Sequence, residues 1–482
     1  MLLSKLFNKI CNINCDALID GIAINSMNVK ANFLFVALSE NAEKFIKSAI
    51  ENGAIAIVSI NNFSRNYPNA ICIQNPNPHK LITSLVHRFY QTPIKLDIVA
   101  ITGTNGKSSI VSLCQQIWQL LGYNSASIGT LGTKTSNSIS GLIYDNLTTP
   151  SVLTIQNNLQ VLEKAGVQKV AIEASSHGLY QYRLHNLPLK SAGFSNFSLD
   201  HLDYHNSIDD YFNAKMRLFN EILSESSPAI LNMDDPSYIK IKEKIKQNNI
   251  ITYGKDIKSD IQLIEQTPTA NGQRLKIKLF DKIIILSLPL MGSFQGYNLL
   301  CALGLVSQTI DKIELLYTLD YKKLLPPDGR MTYIKKQGIR VIIDFAHTPD
   351  ALKNAILSIK WHLIDSSRII TVFGCGGERD QHKRILMGRI AQELSDVVII
   401  CDDNPRNEDS QKIRNDIIVG CPQAIEIGNR GKAIEKAIEL SKKGDIILIA
   451  GKGHEKYQII GDKKYAFSDK DYVINYLKSY IN

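Results

Sequence analysis

The segment of the sequence with the clearest chemical potential is residues 102–109, which read Thr-Gly-Thr-Asn-Gly-Lys-Ser-Ser. It follows an apolar stretch and precedes an amphipathic one, so we predict a strand, a glycine loop and a helix. Glycines let a backbone approach phosphates, a helix N-terminus attracts anions, and Lys107 and Ser108 supply a cation and a hydroxyl ligand for Mg²⁺. The usual phosphate loop has a glycine five positions before Gly106, where this chain has Ile101. We therefore predict a shorter nucleotide-binding loop, Gly-x-x-Gly-Lys-Ser.

A second group of residues has the chemistry of a metal site. Glu173 ends a predicted strand, and carboxylate oxygens are ligands that suit Mg²⁺. His201, in the polar segment 200–205, is a candidate second ligand, although a lone histidine is more often structural. Lys215 lies in the amphipathic helical pattern of residues 211–219. From that spacing alone we expect a lysine in contact with solvent.

These residues need a scaffold, and the apolar patterns predict an α/β protein. In the last third of the chain, strands and helices alternate at a spacing typical of crossover connections and a mainly parallel sheet. We predict strands at 33–38, 54–60, 97–102, 169–173, 191–197, 228–232, 340–345, 368–374, 396–401 and 445–450, a β-rich extension at 260–290, and helices at 42–52, 107–122 and 297–310. Ligands of such sheets bind beyond the carboxyl ends of the strands. In the last third of the chain this rule points to the loops 346–350, 375–380, 402–406 and 451–455.

Length and composition narrow the class of protein. A chain of 482 residues is too long for one core, and about 150 residues per domain suggests roughly three domains. With 44% hydrophobic and 21% charged residues, the chain is an ordinary globular protein, which excludes a disordered or fibrous one. The net charge of +9 is spread along the chain without a block of five like charges, so we expect no nucleic-acid-binding tail.

The sequence also indicates where the protein works. The first 20 residues are interrupted by charges and lack a cleavage pattern, so we predict no secretory signal. No apolar run approaches the roughly 20 residues that span a bilayer, so we predict no membrane segment. The eight cysteines include no Cys-x-x-Cys pair, which argues against a zinc site and a disulfide framework. We therefore expect a cytoplasmic protein with reduced thiols.

Eight motifs occur in one order along the chain, and together they resemble those of the Mur ligases. They are Thr-Gly-Thr-Asn-Gly-Lys-Ser-Ser from residue 102, Asn-Leu-Thr-Thr-Pro from 146, Glu-Ala-Ser-Ser-His-Gly-Leu from 173, Asp-His-Leu-Asp-Tyr-His from 200, Asp-Phe-Ala-His-Thr-Pro-Asp from 344, Gly-Cys-Gly-Gly-Glu-Arg-Asp from 374, Asp-Asn-Pro-Arg from 403 and Gly-Lys-Gly-His-Glu from 451. Each motif is moderately specific, but their order is very specific, and the resemblance covers nearly the whole chain.

The resemblance implies three domains and an amide-bond-forming reaction. We expect a uridine-nucleotide-substrate domain at 1–92, an ATP-binding domain at 93–327 and a Rossmann-like amino-acid-binding domain at 328–482. The central domain would hold a P-loop ATPase-type parallel sheet with a β extension. In this family, ATP phosphorylates a D-glutamyl carboxylate, and the amine of an incoming amino acid then displaces phosphate from the acyl phosphate. The implied role is peptidoglycan precursor synthesis, with Mg²⁺ as cofactor and ATP as co-substrate.

Matching the family motifs position by position gives candidate site residues. For ATP they are Gly103, Thr104, Asn105, Gly106, Lys107, Ser108, Ser109, Asn298, Arg330, Asp344 and His347. For Mg²⁺ they are Ser108, Glu173, His201 and Lys215, with Lys107, Glu173, His201 and Lys215 as the catalytic set. For the nucleotide-linked dipeptide they are Ser26, Thr148, Thr149, Ser175, Gln181 and Arg183. Lys215 matches the lysine that is carbamylated in this family, which turns a cation into an anionic metal ligand and requires a neutral amine.

The motif around Arg406 carries the implied choice of amino acid. Lysine and meso-2,6-diaminopimelate differ by one carboxylate, and only the second compound gives an arginine a partner for a two-pronged charged hydrogen bond. Similar ligases that add lysine lack this arginine in the matching motif. The expected pocket consists of Arg379, Asp403, Asn404, Pro405, Arg406, Gly451 and Glu455.

The chain departs from the family pattern at four places. It reads Asn25-Ser26-Met27 where relatives usually have Asp-Ser-Arg, and it lacks an Asp-Gly-His segment between Ser39 and Phe45. Gln295 and Asn429 replace an Asn and an Asp at expected nucleotide-side positions. Both replacements keep hydrogen-bonding groups, so we expect changed affinity and intact chemistry.

Three alternatives stay open at this point. The chain could add L-lysine, it could be a non-catalytic nucleotide-binding relative, or it could be a neighbouring ligase such as folylpolyglutamate synthase. Retention of the catalytic set disfavours the second alternative, and the last two motifs disfavour the third. The expected partners are small molecules, namely UDP-N-acetylmuramoyl-L-alanyl-D-glutamate, meso-2,6-diaminopimelate and ATP. We expect a monomer that binds neither nucleic acid nor a membrane.

Overall fold

The computed structural model describes residues 1–10, 16–39, 42–90, 94–198, 204–336, 338–363 and 367–479. Its contacts divide the chain into two compact units. The first unit comprises Met1–Lys107, Cys114–Ile251 and Gly304–Asp311, and the second comprises Ser108–Leu113, Thr252–Leu303 and Lys312–Asn482. The division into three domains at 92 and 327 stays a prediction. Among the described residues, no helix combines the length and the apolar character needed to cross a bilayer.

The elements up to residue 254 alternate between helix and strand over most of their length. The helices are α1 (Leu3–Leu6), α2 (Glu43–Glu51), α3 (Pro78–Tyr90), α4 (Lys107–Leu120), α5 (Val152–Lys164), α6 (Ser176–Tyr180), α7 (Ile208–Arg217), followed by a π-helical turn (Leu218–Ile222), and α8 (Tyr238–Lys244). The strands are β1 (Gly21–Ala23), β2 (Phe33–Val36), β3 (Ala54–Ser59), β4 (Ile71–Gln74), β5 (Asp97–Thr102), β6 (Ser125–Gly129), β7 (Gly132–Thr135), β8 (Lys169–Glu173), β9 (Leu189–Phe194), β10 (Ala229–Asn232) and β11 (Ile250–Gly254).

The elements after residue 254 begin with β hairpins and continue as alternating strands and helices. The helices are α9 (Phe294–Ser307), α10 (Pro349–Lys360), α11 (His382–Leu394), α12 (Ser410–Gly420), α13 (Arg430–Leu440) and α14 (Asp469–Ser479), with short 3₁₀ turns at Ile313–Tyr317 and Tyr321–Lys323. The strands are β12 (Ile261–Thr269), β13 (Gly272–Leu279), β14 (Lys282–Leu288), β15 (Thr332–Lys336), β16 (Ile339–Asp344), β17 (Ile369–Phe373), β18 (Val397–Ile400), β19 (Ile425–Glu426), β20 (Ile446–Ala450), β21 (Tyr457–Ile460) and β22 (Lys463–Ala466).

The sheets of the first unit bring the carboxyl ends of strands together. Its smaller sheet has the order β1-β2-β3-β4 with parallel pairs. In its larger sheet β5 pairs in parallel with both β8 and β9, and Ile101 at the end of β5 stands beside Glu173 at the end of β8. β5 is almost wholly buried because apolar side chains cover both of its faces, which is typical of a central parallel strand. The glycine loop therefore begins between the ends of two neighbouring strands.

The second unit contains a β extension and a parallel sheet. β12, β13 and β14 form an antiparallel meander, as the sequence predicts. The parallel sheet has the order β15-β16-β20-β17-β18-β19, with only β15 antiparallel to its neighbour among the described pairs. Apolar clusters cover its two faces. Its strands run in the same direction, so the loops after β16, β17, β18 and β20 lie at one edge, as the sequence predicts.

The predicted elements agree with the structure to within a few residues, and α9 shows the largest shift. Its helix begins at Phe294, three residues before the predicted start, and ends at Ser307. Gln295 and Gly296 interrupt the apolar pattern but still belong to the helix. Gln295 is fully buried there and accepts a hydrogen bond from Asn298 Nδ2 at 2.9 Å. The polar Gln295 in the buried first turn is therefore the reason why the sequence pattern predicted the start of α9 too late.

Candidate active site

The glycine loop after β5 has a backbone that needs its glycines. Gly103 has φ +139° and Gly106 has φ +90°, both in the region that side chains disfavour. A Cβ atom on Gly103 would lie 2.0 Å from Ser195 Oγ, so no other residue fits there without displacing its neighbour. α4 begins directly after Gly106, which leaves the first backbone N–H groups of a 14-residue helix at the loop. This geometry is that of an anion-binding loop.

A loop that follows β9 holds the glycine loop in place. The Asn105 backbone N–H donates to Asn196 Oδ1 at 2.9 Å, and Asn196 Nδ2 donates to Asn105 O at 3.1 Å. Asn196 O also accepts from the Thr104 N–H at 2.9 Å. Sequence reasoning assigned no role to Asn196, because it placed this residue inside a predicted strand, 191–197, whereas β9 ends at Phe194.

Two lysines meet at one carbonyl of the glycine loop. Lys107 Nζ donates to Gly103 O and to Thr104 O, both at 2.8 Å. Lys215 Nζ also donates to Gly103 O at 2.8 Å, and it lies 4.3 Å from the centre of the Tyr211 ring. Lys215 is only 1% exposed, so the prediction of a solvent-facing lysine, made from spacing alone, is wrong. The physical reason is that α7 buries Tyr211, Phe212, Ala214, Lys215 and Met216 together.

Glu173 presents a buried carboxylate at the end of β8. It is 1% exposed, its Oε1 accepts from the Thr130 N–H at 2.9 Å, and its Oε2 accepts from Thr130 Oγ1 at 3.2 Å. Among the described residues, no group of three or more His, Cys, Asp or Glu side chains is arranged around a metal position. A single hard oxygen ligand beside a phosphate loop fits Mg²⁺, which usually keeps waters and takes one or two carboxylates. His201 lies outside the described residues, so its metal-binding role stays a prediction.

Gly129 leaves the space that the Glu173 carboxylate occupies. A Cβ atom on Gly129 would lie 2.1 Å from Glu173 Oε1. We expect Gly129→Ala to displace this flexible carboxylate without unfolding the sheet, and to lower the turnover number by up to about 10²-fold. The turnover number as a function of Mg²⁺ concentration, with the melting temperature measured in parallel, checks this expectation. An active variant with an unchanged Mg²⁺ dependence would contradict it.

Residues predicted to hold the nucleotide-linked dipeptide cluster beside Glu173. Thr149 Oγ1 donates to Glu173 O at 2.8 Å and lies 2.9 Å from Ser175 Oγ. Arg183 donates to Gln181 Oε1 through Nε at 3.1 Å and Nη2 at 2.6 Å, and to Thr149 O through Nη1 at 2.5 Å. Five of the predicted side chains thus form one polar group, and its members are Thr148, Thr149, Ser175, Gln181 and Arg183.

Two contacts complete the description of the dipeptide residues. Thr148 joins the polar group because its Oγ1 accepts from Thr130 Oγ1 at 3.1 Å. Thr130 was missed by sequence reasoning, since nothing in its own neighbourhood marks it. Ser26 lies in a separate 3₁₀ turn, Ser26–Asn28, where its carbonyl accepts from Asn52 Nδ2 at 2.9 Å. Its role in uridine recognition stays a prediction.

The loops at the carboxyl edge of the C-terminal sheet carry a cluster of charged and polar side chains, which we refer to as the pocket. Lys452 is fully buried, and its Nζ donates to Asn404 Oδ1 at 3.0 Å and to Glu455 Oε2 at 2.9 Å. The same ammonium group lies 4.0 Å from Asp403 Oδ1. Asn404 Nδ2 donates to Glu455 Oε2 at 2.9 Å. The structure therefore joins three of the predicted amino-acid-binding residues through Lys452, which sequence reasoning passed over although it stands inside the Gly-Lys-Gly-His-Glu motif.

The two carboxylates of this pocket have different proton affinities. Burial raises the pKa of Asp403 above its ordinary value, against the attraction of Arg430 and Lys452. Burial also acts to raise the pKa of Glu455, but the Lys452 charge and hydrogen bonds from Lys452 and Asn404 outweigh it, so this pKa is lowered. Glu455 is therefore the carboxylate of the two that more readily stays charged.

Arg406 lies two residues after Asn404, and its backbone is constrained. Its φ of +55° is unusual for a residue with a side chain, and its N–H and C=O pair with Ile459 O and the Gly461 N–H. Arg406 Nη1 donates to Gly377 O at 2.7 Å. Arg379 lies two residues after Gly377, in the loop that follows β17, and it is exposed. Both predicted arginines thus belong to adjoining loops at the sheet edge, and Pro405 connects Arg406 to Asn404.

Three of the predicted ATP residues of the second unit lie near the end of β16. Asp344 accepts from the N–H groups of Met331 at 2.8 Å and Ala346 at 2.9 Å, and burial raises its pKa against the attraction of Arg330. The Arg330 guanidinium lies 4.7 Å from the centre of the Phe345 ring. His347 is exposed, with Nδ1 at 2.8 Å from Phe345 O. Asn298 lies apart from them on α9, where it contacts Gln295.

Parallel α/β sheets and a glycine loop with anion-binding geometry at the start of a helix define an α/β protein with a phosphate-type loop. Residues 101–306 match the family description "Mur ligase middle domain", and residues 329–453 match "Mur ligase, glutamate ligase domain". The chain belongs to the Mur ligase family, as its motifs predicted, and it is a ligase.

Named relatives agree with this assignment over nearly the whole chain. A UDP-N-acetylmuramoyl-L-alanyl-D-glutamate–2,6-diaminopimelate ligase of Anaplasma marginale is 40% identical over 452 residues, which cover 93% of this chain and 94% of the relative. The Zymomonas mobilis ligase of the same name is 39% identical, covering 92% and 90%. A solved structure with this name superposes with a TM-score of 0.69 at 31% identity and covers 99% of both chains.

Proposed function

We propose that this chain joins meso-2,6-diaminopimelate to the D-glutamate of UDP-N-acetylmuramoyl-L-alanyl-D-glutamate, with ATP as the energy source. The observation that carries the choice of amino acid is the pocket at the sheet edge, where Arg406 and the pair Asp403 and Glu455 flank Asn404. A diamino diacid has an ammonium group and a carboxylate at its far end, and this pocket offers a partner for each. The named relatives support the same reading.

The reaction divides into two transfers. The D-glutamyl carboxylate attacks the γ-phosphorus of ATP, so that an acyl phosphate forms and ADP leaves. The amine of diaminopimelate then attacks the acyl carbon, and phosphate leaves with its bonding electrons while the amine gives up a proton. A carboxylate alone is a poor electrophile, so the phosphoryl group supplies the leaving group. Catalysis of such transfers rests mainly on positioning and on stabilising charge.

The glycine loop would bind the ATP phosphates. Its N–H groups and the N-terminus of α4 favour anions, and Lys107, now held by Gly103 O and Thr104 O, can turn to the γ-phosphate. Glu173, Ser108, His201 and Lys215 in its carbamylated form would hold Mg²⁺, which neutralises charge on the phosphates when it is bound. Asn298, Arg330, Asp344 and His347 are the further residues that the family motifs assign to ATP.

The polar group beside Glu173 would orient the dipeptide. Arg183 is a cation held in a fixed position by Gln181 and Thr149, so it suits a carboxylate of the substrate. Thr148, Ser175 and Gln181 add hydroxyl and amide groups, and Ser26 is the expected uridine contact. We further propose that the protein works in the cytoplasm as a monomer.

An assay of phosphate release separates this proposal from its alternatives. Purified protein is mixed with ATP, Mg²⁺ and UDP-N-acetylmuramoyl-L-alanyl-D-glutamate, and either diaminopimelate or L-lysine is added. We expect release with diaminopimelate and a kcat/KM at least about 10²-fold lower with lysine, because lysine has no carboxylate to form a charged hydrogen bond with Arg406. Preference for lysine would identify the lysine-adding alternative. Release with neither amino acid would support a non-catalytic relative.

A further inference from the structure

Two loops carry the arginines of the amino-acid pocket, and both have a constrained backbone. The first is residues 374–380, with Arg379, and the second is residues 402–408, with Arg406; we refer to them as the arginine loops. Glu378 in the first loop has φ +54°, and Arg406 in the second has φ +55°. Residues with side chains keep such conformations only where their surroundings hold them. Some contact must therefore fix both loops.

The arginine loops are bonded to each other along their length. The Gly377 N–H donates to Asn404 O at 3.0 Å, and Arg406 Nη1 donates back to Gly377 O at 2.7 Å. Asn407 Nδ2 donates to Glu378 Oε1 at 3.2 Å. A Cβ atom on Gly377 would lie 2.0 Å from Pro405 O, which shows how closely the backbones approach. A shift of one loop must therefore move the other.

An ion pair between Glu408 and the fully buried Arg384 fastens both arginine loops to α11. Glu408 Oε1 accepts from Arg384 Nη1, and Glu408 Oε2 accepts from Arg384 Nη2, both at 2.7 Å. Glu408 Oε2 also accepts from the N–H of Glu378 at 3.0 Å, so a residue of the second loop holds the constrained residue of the first. The Arg384 side chain is 0% exposed, whereas its other partner Asp416, at 2.9 Å, lies on α12 outside both loops.

The Arg384–Glu408 pair stays ionised at the pH values at which cytoplasmic enzymes work. The Arg384 hydrogen bond, outweighing the effect of burial, lowers the pKa of Glu408 to about 2. Bidentate arginine–carboxylate pairs fix geometry as well as charge. Since Arg384 is enclosed by protein, it acts on the pocket through the loops and not by touching a ligand.

We propose that Arg384 and Glu408 are positioning residues that hold the Arg406 guanidinium where it can bind the far carboxylate of the amino acid. This inference rests on the proposed function, because only a diacid uses that guanidinium. Selectivity for the diacid then depends on the Arg384–Glu408 ion pair as well as on Arg406 itself.

The substitution Glu408→Gln tests the inference because glutamine keeps the shape and loses the charge. We expect kcat/KM for diaminopimelate to fall up to about 10²-fold, with kcat/KM for lysine unchanged. In an R406A background the same substitution should cause no further loss, because coupled residues are not additive. A general structural defect would instead lower both kcat/KM values alike and would add to R406A, and either result would overturn the inference.

Asp416→Asn is the matched control, since it removes an ion pair of Arg384 without touching either arginine loop. It should keep the selectivity of the wild type. If Glu408→Gln fails to fold, the double variant R384M/E408M replaces the pair by apolar side chains, a change that buried pairs often tolerate. Unaltered selectivity in a folded double variant would overturn the inference alone. A wild-type protein that uses lysine as readily as diaminopimelate would overturn the proposed function and this inference with it.

Discussion

Replacing Lys215 with methionine is expected to lower the rate of phosphate release by about 10²- to 10³-fold, the loss seen when a charge-stabilising group is removed from an active site. Methionine has nearly the volume of lysine and suits the buried position, which is 1% exposed. The protein should therefore stay folded, but it would have no nitrogen to carry CO₂. Steady-state kinetics at saturating ATP and dipeptide provide the measurement.

Lys215 shares its hydrogen-bond acceptor with Lys107. Both Nζ atoms donate to Gly103 O, so a carbamate at Lys215 would place a negative charge beside the Lys107 ammonium group. Carbamylation would replace the positive charge of Lys215 by a negative one, beside the glycine loop that we propose to bind the ATP phosphates.

A matched control and a second measurement separate the carbamate from a packing effect. Lys240→Met removes an exposed lysine that pairs with Asp209 of the same helix as Lys215, and its rate should match the wild type. Removing CO₂ from the buffer should slow the wild type, and bicarbonate should restore it, whereas Lys215→Met should respond to neither. A native mass without the added CO₂, together with a rate that ignores bicarbonate, would contradict the carbamate.

The fold follows from local patterns that the sequence displays openly. β5 is a run of apolar residues ending at a glycine loop, and the later strands recur with helices between them, so both spacing and order were predictable. The first turn of α9 was not, because Gln295 is polar yet fully buried. Its burial depends on a partner, Asn298, and on the helix packing around it.

The site was predictable where its residues are close in sequence and obscure where they meet through the fold. Residues 102–109 are contiguous, from the end of β5 through the glycine loop to the start of α4, so their role was visible at once. Thr130 and Glu173 are 43 positions apart, and nothing but the pairing of their strands brings them together. Arg384 and Glu408 likewise come from different elements. The burial of Lys215 was unpredictable for a similar reason, because an amphipathic pattern does not show which lysine of a helix is buried in the folded protein.

The largest change in specificity is expected from Arg406→Ala. This variant should raise KM for diaminopimelate much more than KM for ATP, and kcat/KM for diaminopimelate should approach that for lysine. A charged hydrogen bond contributes about 1.5–3 kcal/mol. Lysine leaves Arg406 without that charged partner, so the wild type should discriminate between the two amino acids by about 10²- to 10⁵-fold. Initial rates with each substrate varied in turn provide the test.

The control for this variant is Arg389→Ala, which removes an exposed arginine of α11 from the same unit. Its KM values should equal those of the wild type, so that a loss of positive charge alone does not explain the result. Equal increases in KM for ATP and diaminopimelate in Arg406→Ala would contradict the assignment, because an arginine that binds the far carboxylate has no contact with the nucleotide. The lysine rate decides the remaining question: a carboxylate-binding arginine contributes nothing to a substrate without that carboxylate, so its removal should leave the slow lysine reaction as it was.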